Sequence, residues 1–446
     1  MIIYRIYLEM RKKIMRDSRL VLFIILAAFM ALCSQAQAWD QHFVFTQVVA
    51  AELSDRLPIL IEPVRATSLE TFLKRNKTAV KALFRDFYSW KYKTYKYQHW
   101  LLSPENYAYL YSEGAGSMDK KRFLELLGVQ KTGLSQIIVS EEFSRQYNIK
   151  SVNADTTLPF SAWLALFSDE PDWGADIGLF GKGDPRYNSE IPYGAIDKLS
   201  SQAPFHMYFP TERFITYKAC ESLKESMALL RFNIFIRLTN LAWRVKDHYW
   251  TARFLGNTTH YLQDVSNSYH SSALPYANLF TYVKYFAVKD KDKYLSDNTQ
   301  ILANRHFAYE AVGLEFMLLT KDNLDAYIRT SSVVDRGYEL GISEAQQNYC
   351  AFSSEIFNRV SKAAYKNARA VDKLIVKNFP AHLIKDPKFD PQTREDFQLN
   401  LWFNKELLNN FLQNPKTKQG DLIKAFFTDA VRTFECSALL MGHILR

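Results

Sequence analysis

Apolar and polar positions along this chain follow mainly the period of a helix. The stretch HFVFTQVVAAELSDRL (42–57) spaces its apolar residues three and four apart, which predicts an amphipathic helix. From residue 211 the same period runs through 211–245, 248–264 and 299–319. It resumes over 342–376 (ISEAQQNYCAFSSEIFNRVSKAAYKNARAVDKLIV). Three prolines in NFPAHLIKDPKFDPQTRED interrupt it, and two further helices are expected after them. SDEPDWGADIGLFGKGDPRYNSEIPYG (168–194) is dense in Gly, Pro and Asp and reads as loop. No run alternates strictly enough for a half-buried strand, so the expectation is an all-α fold.

Composition supports that reading. The 446 residues are 48% hydrophobic, enough for a large core, with only 15 Gly and 14 Pro. Between the first helix and the acidic loop, approximately 60–160 reads as an insertion. It contains the aromatic and lysine-rich FYSWKYKTYKYQHW (87–100), for which aromatic core interleaved with solvated lysine is the favoured reading over a membrane-facing surface.

The N-terminus has the parts of a secretory signal peptide over residues 1–38. The basic RKKIMRDSR precedes the apolar LVLFIILAAFMALC, and Ala36-Gln37-Ala38 supplies a cleavage site before Trp39. The expected location is therefore secreted or periplasmic. Removing this leader, with six basic and two acidic residues, lowers the formal net charge from +9 to about +5, a mild basicity that identifies no partner. Cys220, Cys350 and Cys436 remain, so one disulfide at most can form.

Candidate chemistry concentrates in HYLQDVSNSYH (260–270) and NRHFAYE (304–310), in a chain with only nine histidines. His260 and Asp264 are four apart, as are His306 and Glu310, so each pair lies one turn apart on a helix face. Imidazole plus carboxylate at that spacing is half of a zinc site. His270 between the pairs and His206 upstream suggest several ions rather than one.

FLGNTTHYLQDVSNSYHSSAL resembles the central helix of the zinc-dependent phospholipases C, a superfamily shared with single-strand-specific zinc nucleases. The signature His-x3-Asp-x5-His followed by His-x3-Glu falls on His260, Asp264, His270, His306 and Glu310. Trp39 after the expected cleavage site, and His42 three residues later, fit that family's N-terminal Trp ligand. APFHMYFP places His206 in a similar His-aromatic context. The resemblance implies a multi-helix bundle with three Zn2+ ions. Asp172 or Asp176, His206, His260 and Asp264 hold the first; His270, His306 and Glu310 the second; the Trp39 terminus, His42 and the other oxygen of Asp264 the third. Asp172 is preferred over Asp176 because it stands in a Pro-Asp-aromatic run, and it is also the residue expected to orient the attacking water or accept its proton.

The implied activity is phospholipase C action, releasing diacylglycerol and a phosphorylated head group, with a phospholipid membrane surface as partner and no obligate protein partner. The alternative is a nuclease on single-stranded DNA or RNA; with three cysteines left after cleavage, the lipid reading is preferred. Departures are Gln263 where glycine is common, Ser268-Tyr269 where Pro-Met is common, a longer gap between His270 and His306, and two stretches outside the resemblance (about 60–160 and about 380–446). His99, His248, His382 and His443 fall outside the signature.

Overall fold

A computed structural model describes residues 42–89, 141–172, 203–219, 221–224, 226, 228–320, 324, 328–344, 349–389 and 418–446. The expected leader, Trp39 and most of the aromatic stretch 87–100 lie outside these residues. The described residues are dominated by helices. In chain order these are α1 His42–Glu52, α2 Leu69–Ser89, α3 Glu141–Tyr147, α4 Phe160–Ser168, α5 Ala203–His206, α6 Phe214–Ala219 and α7 Ala228–Arg244. There follow α8 His248–Asp264, α9 Leu279–Ala287, α10 Lys291–Thr320, α11 Thr330–Glu344, α12 Tyr349–Asn378, α13 Ala381–Ile384 and α14 Lys418–Ile444. Among the described residues no helix is long and apolar enough to cross a membrane.

Two departures from the periodicity have local causes. The stretch 211–245 is two helices rather than one. Ser226 bonds the carbonyl of Met207 through its hydroxyl and accepts from Ala228 N at 3.3 Å, so it starts α7 as a local cap and stops the preceding turn from running on. A short antiparallel pair also forms, β1 Pro63–Arg65 with β2 Thr157–Pro159, Val64 opposite Leu158. Three-residue strands are too short for alternation to be legible. The pair clasps the expected insertion at its base, reinforced by Ala66 N donating to Thr156 O and Phe160 N to Glu62 O.

At the centre lies α8, packed between α7 and α4 with α14 and α1 beside it. Its start follows from Asp247, whose carboxylate accepts from Trp250 N as an N-cap. Lys246, at φ 58°, ends α7 in the left-handed conformation; Asp247 N bonds Ala242 O and Lys246 N bonds Trp243 O, which turns the chain back on itself. From Tyr249 to Asp264 every residue of α8 is buried. A wholly buried helix is ordinarily apolar all round, yet this one carries Thr251, Arg253, Asn257, Thr258, Thr259, His260, Gln263 and Asp264. Each such group costs stability unless partnered, so the polar content of α8 already points to a built site.

Close approach matters at one contact. A Cβ on Gly256 would lie 2.7 Å from Leu164 O and 2.8 Å from the carbonyl carbon of Phe167, so α4 and α8 meet backbone to backbone. Helix α14, placed by the sequence in a C-terminal extension, packs on α11, α12, α8 and α1 and is part of the central bundle.

Candidate metal centre

The ligand-type side chains come from separate elements that converge on the C-terminal end of α8. His42 opens α1, Asp172 follows α4, His206 ends α5, His260 and Asp264 share one face of α8, and His270 sits in the turn beyond. His306 and Glu310 are one turn apart on α10. Three groups result, each with ligand atoms within 4.8 Å of one another: Asp172, His206 and His260; His42, His260 and Asp264; His270, His306 and Glu310.

Asp264 Oδ2 lies 2.8 Å from His206 Nδ1 and 3.1 Å from His260 Nε2, while Asp172 Oδ1 is 3.5 and 3.8 Å from the same two nitrogens. His42 Nε2 faces Asp264 Oδ1 at 3.5 Å and Asp172 Oδ2 at 3.7 Å. Glu310 Oε1 is 3.0 Å from His270 Nε2 and 2.6 Å from His306 Nε2. Two ligands about 2.1 Å from a tetrahedral zinc stand about 3.4 Å apart, so these separations bracket what an ion requires. His42 Nε2 is buried and makes no hydrogen bond, and Asp264 Oδ1 faces only imidazole nitrogens, His270 Nδ1 at 3.1 Å and His42 Nε2 at 3.5 Å. An orphaned imidazole lone pair, together with an all N/O donor set, fits a cation of zinc type.

Neighbouring groups fix which nitrogen of three imidazoles is free to ligate. His260 Nδ1 donates to Ser168 O at 2.7 Å and His270 Nδ1 to His206 O at 2.9 Å, which turns Nε2 of each toward the centre. For His42 the assignment runs through Gln263. Ser437 Oγ donates to Thr433 O at 2.7 Å, so it accepts from Gln263 Nε2 at 2.9 Å. The amide oxygen then faces His42, accepts from Nδ1 at 2.8 Å, and leaves Nε2 unprotonated toward Asp264.

The charges agree with these roles. Burial, aided by the neighbouring His42 ring, holds His260 down to about 3, so it is neutral. Burial would raise Asp264, but the imidazoles of His260, His270 and His206 outweigh it and hold the carboxyl well below its ordinary range. Glu310 is likewise brought to about 2, against its burial, by His306 and His270. Burial would lower His270, yet Asp264 and Glu310 raise it to about 10. Without a metal, a proton on His270 therefore stands between two carboxylates where a cation would stand. The side chains of Asp264, His42 and His260 are fully sealed, whereas His306, Glu310 and Asp172 keep some exposure, so the centre is less closed on that side.

A second layer was not foreseen from the spacing. The first residues of the expected acidic loop are each tied to the centre: Ser168 O anchors His260, Asp169 accepts from Phe43 N at 2.8 Å next to His42, and Glu170 pairs with Arg253 and accepts from Asn257. An acidic run beside Asp172 was the signal available for these. The turn that carries His270 is braced from α14 and α12. Asp429 accepts from Ser268 N, Ser268 Oγ, Tyr309 OH, Asn367 and Arg432; Asp372 accepts from Tyr269 OH and Arg305. Asn267 Nδ2 donates to Glu310 at 3.2 Å. Nothing in local spacing marks Asp429, Asp372 or Ser437, because their partners are remote in sequence.

Of the expected ligands, His42, Asp172, His206, His260, Asp264, His270, His306 and Glu310 lie together as described, while Trp39 and Asp176 fall outside the described residues. His248, His382 and His443 belong to none of the three groups. Cys436 is buried and free, its thiol pushed up to about 12 by burial; Cys220 and the side chain of Cys350 lie outside the described residues. Comparisons with protein-family models, with curated proteins and with solved structures find no match.

Proposed function

We propose that the chain is an exported zinc-dependent phosphodiester hydrolase that acts as a phospholipase C, its helices forming a bundle of the zinc-dependent phospholipase C type. The observation that carries this reading is the convergence of three largely buried His/carboxylate groups, two of which share His260, with the single carboxylate of Asp264 facing the imidazoles of His42, His206 and His260. In the proposed assignment Asp172, His206, His260 and Asp264 hold one Zn2+. His270, His306 and Glu310 hold a second. His42, Asp264 and the Trp39 terminus hold a third.

Bound zinc supplies a water of pKa near 7 and neutralises charge on phosphoryl oxygens. The chain's own residues do the rest. His260 and His42 present unprotonated Nε2 atoms because Ser168 O and Gln263 hold their Nδ1 protons, and His270, its Nδ1 proton on His206 O, would present Nε2 once an ion displaced its second proton. Three divalent ions against the carboxylates of Asp172, Asp264 and Glu310 leave the centre positive, which suits an anionic phosphodiester. Asp172, at the less sealed side, orients the attacking water or takes its proton as a general base.

The test is purified protein, processed as exported, assayed on phosphatidylcholine vesicles and on single-stranded DNA, with and without a chelator, alongside its zinc content. Zinc-dependent release of diacylglycerol is expected. Cleavage of DNA but not lipid reverses the substrate class, and a protein that binds no stoichiometric zinc ends the reading.

A further inference from the structure

The long gap between His270 and His306 carries α9, and its outer face is unusual. Phe280 is 82% exposed, Leu279 70%, Val283 55% and Phe286 50%; Phe214, on the adjoining α6, is 75% exposed. Positions 279, 280, 283 and 286 share one helical face. Inward-facing Tyr282 is buried and bonds Thr216 Oγ at 2.7 Å, and Tyr285 OH donates to Ala219 O, so α9 is mounted firmly on α6. A capping box of Asn278 and Thr281 fixes its start. These five side chains make up most of the large exposed hydrophobics among the described residues.

At about 150–200 Å2 for each large side chain, they present on the order of 600 Å2 of apolar surface, beyond what singly scattered surface residues explain. A stable protein interface needs about 800 Å2 from each partner, polar rim included. A cluster smaller than that, carried on one outlying helix, suits insertion into lipid better than pairing with a second copy. Its rim is cationic. Lys218 Nζ lies 5.4 Å above the Phe214 ring, Lys284 Nζ 5.6 Å above Tyr294 and Lys291 Nζ 5.8 Å above Tyr285. These three make no ion pair among the described residues, whereas the nearby acids are engaged: Asp290 accepts from Lys293 N and Asp297 pairs with Lys293. Apolar and aromatic tips ringed by lysines match an interfacial helix, its rings in the acyl boundary and its ammonium groups at head-group phosphates.

We propose that α9, with Phe214 of α6, is the surface that docks this protein on a phospholipid bilayer, with Lys218, Lys284 and Lys291 against the head-group phosphates. This deepens the lipid-hydrolase reading and rests on it, since α9 is strung between His270 and the helix that carries His306 and Glu310.

The test is cosedimentation of the full chain with phosphatidylcholine vesicles, with and without phosphatidylglycerol, comparing parent, a Leu279→Ser/Phe280→Ser double variant, and a Lys284→Glu/Lys291→Glu double variant. Zinc content and hydrolysis of a short-chain, monomeric phosphatidylcholine are measured in parallel. The expected result is loss of vesicle partitioning by about tenfold or more in the first variant. The second should lose most of the preference for anionic vesicles. Zinc content and monomer hydrolysis should be unchanged in both. Equal partitioning by parent and variants, or no partitioning by the parent, overturns the proposal. So does a parent dimer in sedimentation velocity that Phe280→Ser converts to monomer. If vesicle binding depends on α9 but no phospholipid is hydrolysed, docking stands and the hydrolase reading falls.

Discussion

Replacing Gly256 with Ala probes the contact on which His260 depends. A Cβ at this position would sit 2.7 Å from Leu164 O and 2.8–2.9 Å from atoms of Phe167. Comfortable carbon contacts begin near 3.3–3.5 Å, so α4 and α8 must separate by roughly 0.6–0.8 Å. The obstructing atoms are largely backbone, which no rotamer change moves aside. Ser168, the last residue of α4, accepts from His260 Nδ1 at 2.7 Å. Separation on that scale stretches the bond to roughly 3.4 Å, where little of it survives. Overpacking costs about 1–3 kcal/mol and the lost buried hydrogen bond about 1. Ala returns about 1 kcal/mol of helix propensity. The unfavourable effects win, and the net loss is about 1–3 kcal/mol. With the Nδ1 acceptor withdrawn, the ring loses its fixed orientation, and zinc affinity falls by about 10–100-fold. Urea unfolding and competition for zinc against a chromophoric chelator measure the two effects. A Gly256→Ala protein with the parent's unfolding midpoint and zinc affinity refutes the helix contact and the role assigned to it.

Asp264→Asn removes the carboxylate that the proposed assignment gives to two ions, so elemental analysis should show loss of two zinc ions together; loss of one alone contradicts the sharing. Gln263→Leu strips partners from His42 Nδ1 and Ser437, costing about 1–3 kcal/mol in urea unfolding and weakening the His42 ion while leaving the ion at His270 and His306 in place. Equal weakening at both locations would count against this wiring. His270, raised to about 10, binds a proton more tightly folded than unfolded, so the metal-free protein holds this stabilisation below about pH 6.5 and loses it as pH rises toward 10. Zinc uptake at pH 8 must expel that proton, whereas His260, already neutral, has none to give. Calorimetric titration in buffers of different ionisation enthalpy should show release of about one proton, and buffer-independent heats would rule it out.

The parts of the molecule legible in the sequence are those set by neighbours within a few residues. The bounds of α8 follow from Asp247 as cap and from the apolar period, and both His-x3-acid pairs follow from helical pitch. The interruption between α6 and α7 escaped because it depends on Ser226 reaching back to Met207. The braces escaped for the same reason at longer range: Asp429 and Ser437 look like ordinary polar positions of a C-terminal helix until Ser268 and Gln263 are folded against them. The acidic run after α4 read as loop, yet Asp169 and Glu170 are anchors there.

The placement of α14 has a consequence for biosynthesis. Glu310 is the final ligand-type residue of the three groups, but the orientation of His42 and the seating of His270 await Ser437 and Asp429. A ribosome therefore releases every ligand-type side chain of the three groups well before the scaffold that aligns them exists. Nascent or prematurely terminated chains would carry a full complement of donors yet align them poorly, so the three groups take their arrangement only once translation has passed that helix.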